Sequence, residues 1–266
     1  MGLVIEEEIE VKYFTIPFDK LVSKNPQLAI YTASVNPVKF DLGNPEVLSK
    51  VNHALFKTVL DIDISVPKNH LIPTLGIRYA YCDVVATRSK SSLPFIEIGT
   101  GASAAIALIL AKKYKKQVLA TEINQSSILS AKNNLTSNDV ETAVTLMESK
   151  GEIIQSLIPS GKYSALLCYP PLYEQDLTRL QKKRGWKGTY DELIGGGADG
   201  MDFIRQLIKE ILDNLQIEIE VVSLMLSNKQ ILTSTITLLP KSMKREIIQL
   251  NAGTRKRFIL IFYPGR

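Results

Sequence analysis

The sequence is poor in the residues from which many catalytic and metal centres are built. It has two cysteines, Cys82 and Cys168, too few for a disulfide framework or a thiolate zinc site. Both read as small core residues. His53 and His70 are its only histidines, which argues against a Ser/His/Asp triad and against a His-based metal centre. No apolar run reaches the ~18 residues of a membrane helix, and the longest, Ala104 to Ala111, reads as a buried helix. The acidic start, MGLVIEEEIE, lacks the basic residues and small-residue cleavage site of a secretion signal. The expected setting is the cytoplasm, with no membrane and no metal.

The rest is ordinary for a globular enzyme-sized chain. Its 266 residues, 45% hydrophobic and 22% charged, suit one α/β domain with a small extension. The net charge of +5 is unevenly spread. Lys182, Lys183, Arg184 and Lys187 form one basic cluster, and Arg255, Lys256 and Arg257 another. Such clusters suit a polyanion such as nucleic acid, or a plain solvated surface, and composition leaves both open.

From Phe95 onward, short apolar strands alternate with amphipathic helices, the pattern of a parallel sheet covered on both faces. FIEIG, QVLATE, AVTLME, YSALLCY and IEVVSLMLS read as five strands, and REIIQL with KRFILIFY as a closing pair. Helices are expected over Ala102 to Tyr114, over QSSILSAKNNL, from Asp202 to about Leu215, and from Gln230 to Leu238. Upstream, Pro45 to Leu60 reads as a helix capped by Asn44, and HLIPTLGIRYAYCDVVA runs from an extended stretch into another. Residues 1–92 are expected to be an extension packed on a catalytic domain of residues 93–266.

Three motifs carry chemistry. EIGTGAS places Gly99 and Gly101 between a strand and a helix, where glycine permits a tight turn and close approach of a ligand. Ala104 stands where the third glycine of a dinucleotide fingerprint would be, so the loop alone is unspecific. Glu97 and Ser103 flank it and join the candidate cofactor-binding set. Glu122 closes the second strand, the position from which an acid accepts both hydroxyls of a ribose. The fourth strand ends in LLCYPPLY. Glycine loop, acid and proline pair occur here in the order found in S-adenosylmethionine-dependent amino-methyltransferases; nicotinamide-dinucleotide enzymes share only the first two.

The chain resembles the RNA adenine-N6 methyltransferases that include methyltransferase-like protein 16 of animals and the bacterial large-subunit ribosomal RNA adenine methyltransferase F. The likeness is distributed from about Phe40 to Tyr263, through DIDISVPKNHLIPTLGIRYAY, EIGTGAS, ATEIN, ELIGGGADGMDFIRQLIKE, LMLSNK and GTRKRFILIFY. It implies a Rossmann-like methyltransferase fold with a mostly parallel seven-stranded sheet, S-adenosylmethionine as donor, and structured RNA as substrate. Arg78 would then face the donor's carboxylate or the active-site wall, Gly99 and Gly101 the methionine portion, and Glu122 the ribose. Asp202 and Lys229 would shape the substrate pocket.

In that family the fourth strand ends in Asn-Pro-Pro-Phe. An adenine amine is a poor nucleophile because its lone pair is delocalised into the ring. The asparagine oxygen and a carbonyl within the proline pair hold both amino hydrogens and orient the nitrogen. Here Tyr169 replaces the asparagine and Leu172 the aromatic residue. The Pro170 carbonyl, ahead of Pro171, remains able to accept one hydrogen, and Tyr173, one place late, is placed to stack on a base. An altered acceptor geometry, a different acceptor atom or base, and binding without activity all stay open. RLQKKRGWKG follows, with Lys182, Lys183, Arg184 and Trp186 suited to phosphates and a stacked base. Lys229 and Arg255 complete the candidate RNA-binding set. Two other readings stand beside the RNA enzyme: a protein glutamine-type N-methyltransferase, and a non-catalytic RNA-binding protein on a degenerate methyltransferase fold.

Overall fold

The structure, a computed structural model, describes residues 4–10, 16–173, 188–252 and 255–265. The chain begins with strand β1 (Val4–Glu10) and helix α1 (Phe18–Lys24), followed by a 3-10 turn and the hairpin of β2 (Thr32–Val35) and β3 (Val38–Phe40). Helix α2 (Pro45–Leu60) starts where Asn44 Oδ1 accepts the Glu46 N–H at 2.9 Å, and Pro45 takes a first-turn position whose N–H would be unpaired anyway. Leu21, Leu28, Phe40, Val47 and Val51 form a small core of their own beneath this segment.

The main sheet follows: helix α3 (Leu75–Arg88), strand β4 (Phe95–Ile98), α4 (Ala105–Tyr114), β5 (Val118–Glu122), α5 (Gln125–Thr136), β6 (Val144–Glu148) and β7 (Gly161–Cys168). After these come α6 (Tyr190–Leu193), α7 (Asp202–Asp213), β8 (Ile217–Leu226), α8 (Lys229–Thr237), β9 (Arg245–Ala252) and β10 (Arg255–Phe262). The strand order is β1-β9-β10-β8-β7-β4-β5-β6, with β10 antiparallel to both neighbours and the other pairs parallel. This is the Rossmann-like sheet that the resemblance implies, with the parallel strands between helices that the alternating pattern predicts. Order reverses between β4 and β7, and the crevice above their carboxyl ends is where ligands of open α/β sheets bind.

Alternation along the strands divides the core in two. Leu167, Val221, Met225 and Ile259 face α3, α4 and the end of α2, with Phe56, Tyr81, Val85 and Leu108. Leu166, Cys168, Val222, Leu224 and Leu260 face the other side, against Ile204, Leu207 and Ile208 of α7. Because both faces are covered, β7 is buried continuously from Tyr163 to Cys168, and the apolar run is the result. Both cysteines are free and buried. Among the described residues no helix is long and apolar enough to cross a membrane.

Beyond the seven strands expected, β1 adds an eighth, parallel to β9 at the sheet's edge. Its run of glutamates hides the strand pattern, and Glu6, Glu7 and Glu8 are exposed there. Charge on an edge strand deters further pairing. Arg88 fastens it: Nη2 meets Glu7 Oε2 at 2.8 Å while Nε meets Glu246 Oε2 of β9 at 2.7 Å.

Tyr81 of α3 holds the carboxyl end of β7. Fully buried, its hydroxyl accepts the Cys168 N–H at 3.1 Å and donates to the Ser223 carbonyl of β8 at 2.8 Å. Burial pushes its phenol well above the ordinary tyrosine range, so it stays neutral and able to do both. Tyr81→Phe leaves the Cys168 amide without this partner. Its unfolding free energy in urea is expected to fall by about 1–3 kcal/mol.

Candidate active site

At the end of β4 the chain turns through Gly99 (φ 72°) and Gly101 (φ 67°), the left-handed region that favours glycine. Nothing lies within 4 Å of a Cβ built on Gly99, so the turn borders open space. Ala104 also has a positive φ, 49°, and α4 therefore begins at Ala105 rather than at Ala102 as its apolar spacing suggests. Ser103 is buried, and its hydroxyl accepts the Ala105 N–H at 3.3 Å, at the start of that helix.

Glu122, the last residue of β5, reaches back to the same loop. Its Oε2 accepts the Gly101 N–H at 2.8 Å, and its Oε1 the N–H groups of Ile123 and Asn124 at 2.9 Å each. Burial raises its carboxyl pKa, and these backbone donors oppose the rise. A carboxylate has about four acceptor positions, so Oε2 keeps one for a further donor. Glu97, inside β4, accepts the Thr100 hydroxyl at 2.9 Å, and burial pushes its carboxyl to about 7.

Arg78 lies one turn before Tyr81 on α3. Its Nη1 makes only long contacts, 3.4 Å to both the carbonyl and the hydroxyl of Thr74. Among the described residues no carboxylate pairs with it, although its surroundings desolvate it and lower its pKa. The guanidinium instead faces the ring of Tyr169, 5.6 Å from the centroid, within cation–π range.

Tyr169 opens the loop after β7. Its Oη accepts Arg257 Nε–H from β10 at 3.2 Å. Beyond Pro170 and Pro171, the N–H groups of Leu172 and Tyr173 both point to the Leu193 carbonyl, at 3.1 and 2.9 Å, and Gly195 N–H returns to the Tyr173 carbonyl at 3.0 Å. The glycine-rich IGGGADG run is thereby pressed against the loop. A Cβ at Gly195 would stand 2.0 Å from the Gly200 carbonyl oxygen and 2.6 Å from that of Pro171. Tyr173 packs with Leu71, Leu193 and Ile194.

Sequence reasoning missed Glu192 and Arg257. Thr189 and Glu192 form a capping box at the start of α6, a signature visible in the spacing. What the spacing hides is that Glu192 Oε1 lies 3.9 Å from where a Cβ of Gly101 would stand. The same carboxylate accepts the Leu71 N–H at 3.2 Å and lies 3.5 Å from Nδ1 of buried His70. His70 meets the hydroxyls of Ser126 and Ser127, and Asn124 Nδ2 donates to Asp191 at 2.9 Å. Three distant segments are thus latched beside the glycine loop.

The remaining candidates lie further out. Lys229 is exposed at the start of α8, beyond the carboxyl end of β8. Asp202 is engaged by Arg205 at 2.8 Å and packs beneath Gly196 and Gly197. The Arg255 backbone pairs with Ala252 at the tip of the β9–β10 hairpin. Lys182, Lys183, Arg184 and Trp186 lie outside the described residues.

A family model described as RNA methyltransferase matches residues 11–248. The chain belongs to that RNA methyltransferase family. A putative methyltransferase of Methanocaldococcus jannaschii is 31% identical to it, over 84% of this chain and 88% of the relative. Ribosomal RNA large subunit methyltransferase F of Christiangramia forsetii is 26% identical, over 73% of this chain and 76% of its own. Among solved structures, the human METTL16 catalytic domain in complex with a MAT2A 3′UTR hairpin superposes with a TM-score of 0.83 at 21% identity, covering 94% of this chain and 92% of that one. At that identity the likeness concerns the fold. Within this family fold, Gly195→Ala forces the YPPLY loop and the glycine run apart. It is expected to lower unfolding free energy by about 1–3 kcal/mol and to reduce methyl transfer more than donor binding, in thermal melts, calorimetry and a radiolabel assay.

Proposed function

We propose that this chain is an S-adenosylmethionine-dependent RNA methyltransferase acting on an exocyclic base amine, adenine N6, in structured RNA such as ribosomal or small nuclear-type RNA. The carrying observation is one juxtaposition above β4, β5 and β7: the open turn at Gly99 and Gly101, the Glu122 carboxylate behind it, and the YPPLY loop across the crevice. Family membership and the RNA substrates named for its relatives support the same reading. The cytoplasm is the setting we assign. Residues 1–92 serve as an extension of the catalytic domain of residues 93–266, a reading supported by β1 in the sheet and α3 in the core.

The residues at the crevice fit the donor. Glu122 retains an acceptor position for a ribose hydroxyl. Arg78, a desolvated cation in no ion pair with a described carboxylate, suits the donor's carboxylate. Glu192 and, in its ionised form, Glu97 put negative charge near the glycine turn, which suits a ligand carrying a sulfonium and an ammonium. Gly99, Gly101 and Ser103 border the methionine portion. The donor supplies an electrophilic methyl group. On the substrate side, the Pro170 carbonyl accepts one amino hydrogen, and the two prolines stiffen the loop that presents it. Tyr169 and Tyr173 line the approach. Lys182, Lys183, Arg184, Trp186, Lys229 and Arg255 serve RNA phosphates and a stacked base.

Calorimetry with S-adenosylmethionine and its demethylated product tests the donor assignment, and Glu122→Ala is expected to weaken binding at least about tenfold. Incubation with total RNA from cells lacking the gene, followed by nucleoside mass spectrometry, is expected to yield N6-methyladenosine. A different methylated base would overturn the adenine assignment alone, and methylated glutamine in protein would overturn the RNA assignment.

The charge on Glu97 gives a pH signature. A carboxyl with a pKa of about 7 is half neutral there, and a cationic ligand favours its ionised form. Donor affinity should therefore rise between pH 5.5 and 7.5, and Glu97→Gln should flatten the rise.

A further inference from the structure

Tyr169 occupies the place where the family's asparagine offers a carbonyl acceptor, and the surroundings of its hydroxyl favour the opposite polarity. A phenol oxygen accepts at its lone pairs and donates through one hydrogen. Here the Nε–H of Arg257 occupies an acceptor position at 3.2 Å. Arg257 is itself held by its Nη1, which donates to the carbonyls of Lys256 at 2.9 Å and Ser227 at 3.4 Å. Arg78 faces the ring from another side at 5.6 Å. A cation donating to a hydroxyl oxygen polarises it, so the oxygen becomes a poorer acceptor and the O–H a better donor. Among the described residues none accepts that hydrogen.

We infer that Tyr169 donates its hydroxyl hydrogen to an acceptor atom of the substrate base next to the amine being methylated, and that Arg257 is the positioning residue that sets this polarity. The inference rests on the methyltransferase reading above. It changes how the base is held. Asparagine and the proline-pair carbonyl together take both amino hydrogens, whereas here the Pro170 carbonyl takes one and the base's own lone pair is engaged by Tyr169. Adenine presents this pattern, since its amine is flanked by the lone pairs of ring nitrogens N1 and N7; its groove edge shows an N7 acceptor beside the N6 donor. A tyrosine at this position is then compatible with adenine.

The test measures methyl transfer from S-adenosylmethionine to total RNA of cells lacking the gene, at limiting RNA, with donor affinity by calorimetry in parallel. Tyr169→Phe keeps the ring and removes the hydroxyl, and is expected to lower apparent kcat/KM for RNA at least tenfold with donor affinity within twofold. Arg257→Gln should reproduce that loss in the parent protein, Arg257→Lys should recover part of it, and Arg257→Gln should add little to Tyr169→Phe. Tyr169→Phe with parent activity would overturn the inference while leaving the RNA methyltransferase reading intact. So would Arg257→Gln costing as much in the Phe background as in the parent, or Tyr169→Asn outpacing the parent. A parent protein that binds the donor but methylates no RNA would overturn both.

Discussion

The active-site end of the sheet depends on one buried hydroxyl. Tyr81 sits between β7 and β8 at the last residue before the YPPLY loop, satisfying a Cys168 amide and reaching the Ser223 carbonyl. Ser223 adds a second tie, its own hydroxyl donating to the Leu166 carbonyl at 2.8 Å. These bonds fix where β7 stops, and hence where Tyr169 and Pro170 start. They also fix Arg78, because residues three apart on a helix share a face. One contact of α3 with the sheet therefore sets both a cation of the crevice and the origin of the loop across from it.

Electrostatics around the glycine turn are unfavourable in the protein by itself. Glu97, Glu122 and Glu192 converge there; beyond the cost of burial, Glu122 raises the pKa of Glu97 and Glu192 that of Glu122. The cation at hand, Arg78, pairs with none of them among the described residues and is turned toward Tyr169. Buried charges that do not pair with one another are costly, and a ligand that supplies both signs at the right ends lowers that cost. The donor proposed for the crevice, zwitterionic and sulfonium-bearing, has that charge pattern.

Much of this was legible from residue order. The strands from FIEIG to KRFILIFY, the Asn44 cap, and the meeting of the glycine turn with Glu122 and the proline pair follow from local pattern and the topology of parallel sheets. What the sequence hides is long-range. Nothing in VIEEEIE announces a strand, because its partner lies at the far end of the chain and Arg88 supplies the tie. Glu192 reads as a helix cap and is one, yet the same carboxylate reaches Leu71 and the glycine loop. Arg257 reads as one of three basic residues in a row, and only the antiparallel insertion of β10 beside β8 brings it to Tyr169.

That distinction explains how the loop tolerates tyrosine. Its path is set by main-chain groups: the Leu193 carbonyl receives two of its amides, and Gly195 and Gly200 press against the carbonyls of Pro171 and Leu172 without room for a methyl group. None of these contacts involves the side chain at position 169. The path from Pro171 to Tyr173 is therefore held by groups other than the side chain at 169, and that side chain answers to Arg78 and Arg257 instead. A scaffold that holds the loop through its backbone leaves the side chain at position 169 free to change in polarity. Two arginines without described carboxylate partners are the environment in which the proposed exchange of an amide acceptor for a hydroxyl donor carries least electrostatic cost.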